Sequence, residues 1–194
     1  TFGAGNDTLT ANWAVNNYSI TVNPNGGSCP NVQYYKGNGS AVTGTLTQSG
    51  AFTASTAFSM AYNSTASITP PTRTGYTFTG WTKSAGSGTL TNGSPVTSAN
   101  ATFKVTNATA TLTAGWQINK YTLTVKAYSN TAAAPTTFAN NTTGGTVKIG
   151  SGTAGATATA SVNYNATSSI TAVAATGYTF KGWQTDVQTP SNSA

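Results

Sequence analysis

Charge is nearly absent from this 194-residue chain: 5% of its residues are Asp, Glu, Lys or Arg, none is His, and no Glu occurs. The two acids, Asp7 and Asp186, stand near opposite ends. General acid-base catalysis needs an imidazole or a perturbed carboxylate within reach of the substrate, and glycoside hydrolysis generally needs two facing carboxyl groups. Two distant Asp residues supply neither. Zinc and calcium sites need clustered Cys, His or carboxylate ligands, so no metal and no other cofactor is expected. A Ser or Thr nucleophile also lacks a base, because no Ser-x-x-Lys spacing stands in for one. The composition therefore speaks against an enzyme.

Cysteine is almost as scarce. Cys29 is alone, which excludes a disulfide within the chain and leaves a buried thiol or an intermolecular bridge. No apolar run reaches 18 residues and no signal peptide is visible, so no direct membrane insertion is expected. The net charge of +6 follows from the shortage of acids. Lys36, Arg73, Lys83, Lys104, Lys120, Lys126, Lys148 and Lys181 are spread singly, a pattern that aids solubility and offers no basic stripe for nucleic acid. A surface of Thr, Ser, Asn and Gly with so little charge points to an extracellular or cell-surface location.

What is abundant is Thr alternating with apolar residues, as in SITV at Ser19 to Val22, TATLTAGW at Thr109 to Trp116 and YTLTV at Tyr121 to Val125. Period two means strands with one wet face, and β-branched Thr suits that face. Turn chemistry punctuates the runs: PNGG at Pro24 to Gly27, GNGS at Gly37 to Ser40, TNGSP at Thr91 to Pro95 and NNTTGG at Asn140 to Gly145. No 3.6-residue apolar stripe appears, so the fold class is all-β, with at most a short helix per unit. A disordered, glycosylated linker would share the Thr and Ser bias. The four Trp, nine Tyr and seven Phe, set at recurring positions, argue instead for packed cores.

The recurrence is explicit. GYTFTGW at Gly75 to Trp81 returns as GYTFKGW at Gly177 to Trp183, 102 residues later. NYSITV before Asn23 matches KYTLTV before Lys126, and TLTANW ending at Trp13 matches TLTAGW ending at Trp116. Units that recur with a fixed period usually build scaffolds. One unit opens with YSITVNPNGG, continues through AYNSTASITPPTRTGYTFTGW at Ala61 to Trp81, and closes with TLTAGW at Thr111 to Trp116.

This pattern resembles the Listeria-Bacteroides repeat family, the B-repeats of internalin-type surface proteins. The fitting residues are Asn25, Gly26, Gly27, Pro70, Arg73, Gly75, Tyr76, Phe78, Gly80, Trp81 and Trp116. The second copy keeps Gly177, Tyr178, Phe180, Gly182 and Trp183 but has neither NGG nor Pro-x-x-Arg. The resemblance implies exported bacterial repeats with a compact β-grasp-like fold, used as spacers or adhesive segments without catalysis. Both units exceed the family's usual length between the NGG position and the Tyr-led segment, where an inserted hairpin is expected.

Physically, Tyr76 and Phe78 are two apart and share one side of a strand, while Gly75 and Gly80 bracket it at turns or close approaches. Trp81 is then expected to cover the edge of the core. Stacking of Trp13, Trp81, Trp116 and Trp183 on sugars competes with packing, and their fixed place in each unit favours core or unit interface. Tyr34, Tyr35 and Phe52 lie in the inserted segment without repeat partners, and form the candidate partner-facing patch.

The organisation expected is a closing strand over residues 1–13, a first unit over 14–117, and a second over 118–194 that lacks its closing strand. Either the chain is an excerpt of a longer array, or the N-terminal strand of one subunit completes the last unit of the next and yields a filament. Two functions follow: a structural stalk or fibre whose partner is itself, or an adhesin or carbohydrate-binding module that holds host or matrix glycans or proteins. With no His or Glu to titrate, the thermal midpoint should move by less than about 10 °C between roughly pH 5 and 9, and little with salt. Calorimetry across that range checks this.

Overall fold

The computed structural model describes residues 5, 8–30, 32–35, 50–62, 64–86, 89–90, 101–104, 109–128 and 142–184; of residues 32–35, 67, 89–90 and 101–104 it describes the backbone alone. The turns expected at Gly37 to Ser40 and Thr91 to Pro95 lie outside these residues. Two compact units are present, Thr1–Asn119 and Lys120–Ala194. No helix occurs among the described residues, and the chain is all-β.

The first unit holds β1 (Asn17–Asn23), β2 (Val32–Tyr35), β3 (Thr56–Ala61), β4 (Thr65–Ile68), β5 (Tyr76–Gly86), β6 (Thr89–Leu90), β7 (Ala101–Lys104) and β8 (Ala110–Ile118). They form two four-stranded sheets, ordered β3-β1-β8-β5 and β2-β4-β7-β6. In the first sheet β1 and β8 are parallel, with Ile20 beside Ala110 and Val22 beside Leu112. The flanking pairs are antiparallel. A mixed sheet whose first and last strands meet in the middle is the β-grasp-like arrangement that the resemblance implies.

Alternation decides which side chains go inward. On β1, Ile20 and Val22 are buried between more accessible Ser19 and Thr21, and on β8 Ala110, Leu112 and Ala114 are buried between Thr111 and Thr113. Phe58 and Met60 of β3 join them, with Ala66 and Ile68 of β4. Burial of each larger side chain contributes on the order of 1.5–3 kcal/mol.

Strand β5 departs from simple alternation. Its register against β8 shifts between Phe78 and Gly80, so Thr79 is an extra residue, a β-bulge. The bulge brings Trp81 onto the same face as Phe78, and their rings meet edge to face at 5.6 Å. Trp81 is thereby 0% exposed and sits opposite the small Ala114. It lies in the core, not at its edge as period two alone predicts.

The inserted segment contributes β2, which pairs antiparallel with β4, Val32 opposite Ile68; residues 36–49 of the expected hairpin lie outside the described residues. Farther along it, Phe52 and Cys29 exchange backbone hydrogen bonds of 2.9 and 3.0 Å. Both side chains are in the core, and Phe52 stacks obliquely on Phe58 at 5.8 Å.

The second unit contains β9 (Lys120–Lys126), β10 (Gly145–Ile149), β11 (Thr157–Asn163) and β12 (Ile170–Ala174). Among the described residues its sheets are two-stranded, β11-β9 and β10-β12. By the repeat, β9 and β11 stand where β1 and β3 stand in the first unit, while β12 begins at Ile170, the place of Ile68 where β4 ends. Its core is small: Val125, Ala127, Val147, Ile149 and Ala158.

Cys29 is 0% exposed, and desolvation pushes its thiol up from 9.0 to about 12. The folded chain keeps this proton to a higher pH than the unfolded chain does. The corresponding stability is whole below about pH 9 and is lost as pH rises toward about 12. Urea unfolding at stepped pH should show this alkaline loss, and Cys29→Ala should lessen it.

Candidate strand-accepting site

The motif residues of the first unit converge on the closing strand. Pro24, Asn25, Gly26 and Gly27 make a tight turn, closed by Gly27 N–H to Pro24 O at 3.0 Å. Asn25 and Gly26 have φ of 51° and 83°, the left-handed pair that a type I′ turn requires and that Asn-Gly supplies at low cost. Asn23 Oδ1 accepts from the Asn25 backbone at 2.8 Å.

The turn then grips β8 at two points. Asn25 Nδ2 donates to Ala114 O at 2.9 Å, and the Trp116 indole N–H donates to Pro24 O at 3.1 Å. Arg73 closes the group from the other side, donating to Asn25 O at 3.2 Å with its guanidinium 3.9 Å over the Tyr76 ring. Such a cation over an aromatic face contributes about 0.5–1 kcal/mol at an exposed site. Phe78 completes the cluster, edge to face with Trp116 at 5.7 Å. The Asn25, Arg73, Tyr76 and Trp116 side chains therefore act together as a latch on the last strand.

In the second unit the corresponding chain keeps its shape although no closing strand lies across it among the described residues. Gly177 and Gly182 have φ of 83° and 133°, against 77° and 129° at Gly75 and Gly80. Phe180 and Trp183 meet edge to face at 5.3 Å, as Phe78 and Trp81 do. Yet Gly177 to Trp183 form no strand, and Tyr178, Phe180 and Trp183 are 46%, 48% and 41% exposed. Strand β9 pairs only with β11 among the described residues, whereas β1 has β3 on one side and β8 on the other. Among the described residues, both neighbours that a closing strand would have are thus unpaired on that side.

A matching strand sequence is also unpaired. Residues 8–16 form no strand, and Leu9 and Trp13 are 79% and 88% exposed. Of the four repeated Trp residues, Trp81 and Trp116 pack in the first unit, while Trp13 and Trp183 face solvent. Their partners explain the difference, since the same local motif is buried only where a closing strand lies across it.

The patch expected from Tyr34, Tyr35 and Phe52 is not formed as such. Phe52 is 8% exposed and belongs to the core, because its backbone bridge to Cys29 turns the ring onto Phe58. Tyr34 and Tyr35 lie on β2 opposite Ala66 and Thr65, and their side chains are outside the described residues. The bond from Arg73 to Asn25 O joins two elements of the repeat pattern, Asn-Gly-Gly and Pro-x-x-Arg, that are both missing from the second copy.

The family model described as the Listeria-Bacteroides repeat domain matches residues 18–114, and one described as a divergent InlB B-repeat domain matches residues 135–194. Such repeat domains are generally structural and are typical of surface or extracellular proteins. No helix among the described residues is long and apolar enough to cross a membrane. Neither a curated protein nor a solved structure matches the chain.

A Cβ added at Gly27 would lie 2.4 Å from Trp116 Cζ2 and 2.9 Å from Thr72 O, so the ring must leave its place. Gly27→Ala should therefore cost about 2–3 kcal/mol of first-unit stability by urea unfolding. The same change at Gly177 has open space around its Cβ and should cost less, chiefly through its positive φ.

Proposed function

Since the chain belongs to the Listeria-Bacteroides repeat family, we propose that it is a non-enzymatic extracellular repeat of a bacterial surface stalk or fibre, extended head-to-tail by strand complementation. The observation that carries this reading is the pairing of a lack with a surplus. The second unit has an aromatic motif set for a closing strand and no such strand among the described residues. Leu9 and Trp13, in a near copy of that strand, are 79% and 88% exposed. A donor and an acceptor on one chain generate an open, head-to-tail contact when they belong to different copies.

The near absence of charge fits a mechanical role. Thr-rich faces keep the sheets hydrated, and few ion pairs remain for salt to weaken. The adhesin reading retains only Tyr34 and Tyr35, because Phe52 is in the core. A glycan array that gives a specific signal lost in Tyr35→Ala would favour adhesion over the structural reading.

Deletion of Thr1 to Trp13 tests the structural reading. Sedimentation velocity and electron microscopy should find concentration-dependent polymers of the 194-residue chain and monomers of the truncated one. Unchanged strand content in circular dichroism should accompany the loss. Fibres that persist after the deletion would sink the proposal.

A further inference from the structure

Resting on the head-to-tail reading, the first unit supplies a residue-by-residue pattern for the joint. We propose that Thr8 to Val15 of one copy enters the second unit of another between β9 and Tyr178 to Gln184, parallel to β9 and antiparallel to the motif, in the register of β8. In the first unit Leu112 lies beside Val22, Ala114 opposite Trp81, Trp116 opposite Phe78 and Gln117 opposite Thr77. The repeat converts these into Leu9 beside Val125, Ala11 opposite Trp183, Trp13 opposite Phe180 and Ala14 opposite Thr179.

Three observations converge on this register. Of the inward-facing residues of β8, Leu112 and Ala114 recur unchanged as Leu9 and Ala11, so a small residue again meets the large indole; Asp7 stands at the place of buried Ala110, and the matched segment therefore starts at Thr8. The acceptor motif already holds its kink and its ring pair, with φ of 133° at Gly182 and Phe180 against Trp183 at 5.3 Å; little ordering remains to be done on binding. The side chains that lose water are those now exposed on both parts: Trp13 at 88%, Phe180 at 48% and Trp183 at 41%.

The joint differs from the first unit in how the strand is held. Tyr128, Ser129 and Asn130 stand at the places of Asn25, Gly26 and Gly27, and Ala175 at the place of Arg73. No Asn-Gly turn and no guanidinium is there to clasp the incoming chain. Tyr128 Oη instead donates to Gln184 Oε1 at 3.2 Å, joining the two walls of the slot; the incoming strand is held by the backbone ladder and the aromatic contact, and exchanges between copies while β8 of the first unit stays in place. One donor residue fits less well. Asn12 replaces Gly115, where a Cβ would come within 2.6 Å of Thr79 Oγ1; in the second unit Lys181 occupies that place and must swing aside.

Cysteine pairs test the register. Thr77 and Gln117 are exposed cross-strand partners, so the double variant Ala14→Cys, Thr179→Cys places two thiols at disulfide distance across the joint. Cys29, buried with its thiol held up to about 12, does not compete at neutral pH. Mild oxidation of the full chain should give a ladder of reducible oligomers, at least about tenfold more abundant than for Ala14→Cys, Thr159→Cys, whose second thiol is on β11 away from the joint. Asn12→Gly should lower the half-assembly concentration about fivefold by removing the misfit.

The outcomes separate the joint from the fibre. A crosslinked dimer that goes no further means reciprocal exchange, which upholds the register and overturns the fibre. Fibres in the microscope without the Ala14–Thr179 ladder overturn the register and leave the fibre standing. A closed monomer, or equal crosslinking in the β11 control, overturns the exchange between copies.

Discussion

The parallel contact between β1 and β8 is the constraint on which the first unit depends. The first strand and the last must lie side by side, yet the chain between them builds a whole second sheet. Neither strand can bury its inward residues before the other arrives, because Ile20 and Val22 are registered against Ala110 and Leu112. Closing so long a loop costs chain entropy, and non-local contacts recover it only once made. The latch at Pro24 to Gly27 places hydrogen bonds at the end of β1 that the returning strand completes, through Ala114 O and the Trp116 indole. The turn thus serves as more than a bend between strands.

In the second unit no closing strand lies across the same motif among the described residues. Its glycines take the same backbone angles and its rings the same mutual tilt, but Trp183 is 41% exposed where Trp81 is 0% exposed. Ile170 likewise is 37% exposed where its counterpart Ile68 is 0% exposed. Local sequence therefore suffices for the motif's conformation, while its burial is a property of the strand across it. Aromatic area of this size, left wet, stabilises nothing until something covers it.

Much of the fold was legible because alternation is a local signal. The Thr runs predicted strands, and β1, β8 and β9 form where they occur. The bulge at Thr79 was not legible, since it depends on the register against a strand some 30 residues away, and it moves Trp81 from rim to centre. Phe52 escaped for a similar reason: its partner Cys29 is far in sequence, and nothing in the inserted segment announces the bridge. The Asn25, Arg73 and Trp116 cluster was visible as a pattern of residue types. Only the geometry ties them to one another, through the carbonyls of Pro24 and Asn25 in the turn and of Ala114 on β8.

The parallel order of β1 and β8 also decides how the first unit meets a pull. Tension drawn between Asn17, where β1 begins, and Ile118, where β8 ends, loads the two strands along their lengths in opposite directions. The ladder hydrogen bonds between them are then sheared together instead of being opened one at a time from an end. A unit wired in this way resists extension through the simultaneous failure of its central pair, and the indole and carboxamide that grip β8 lie at the end of that pair where the strand would begin to slide.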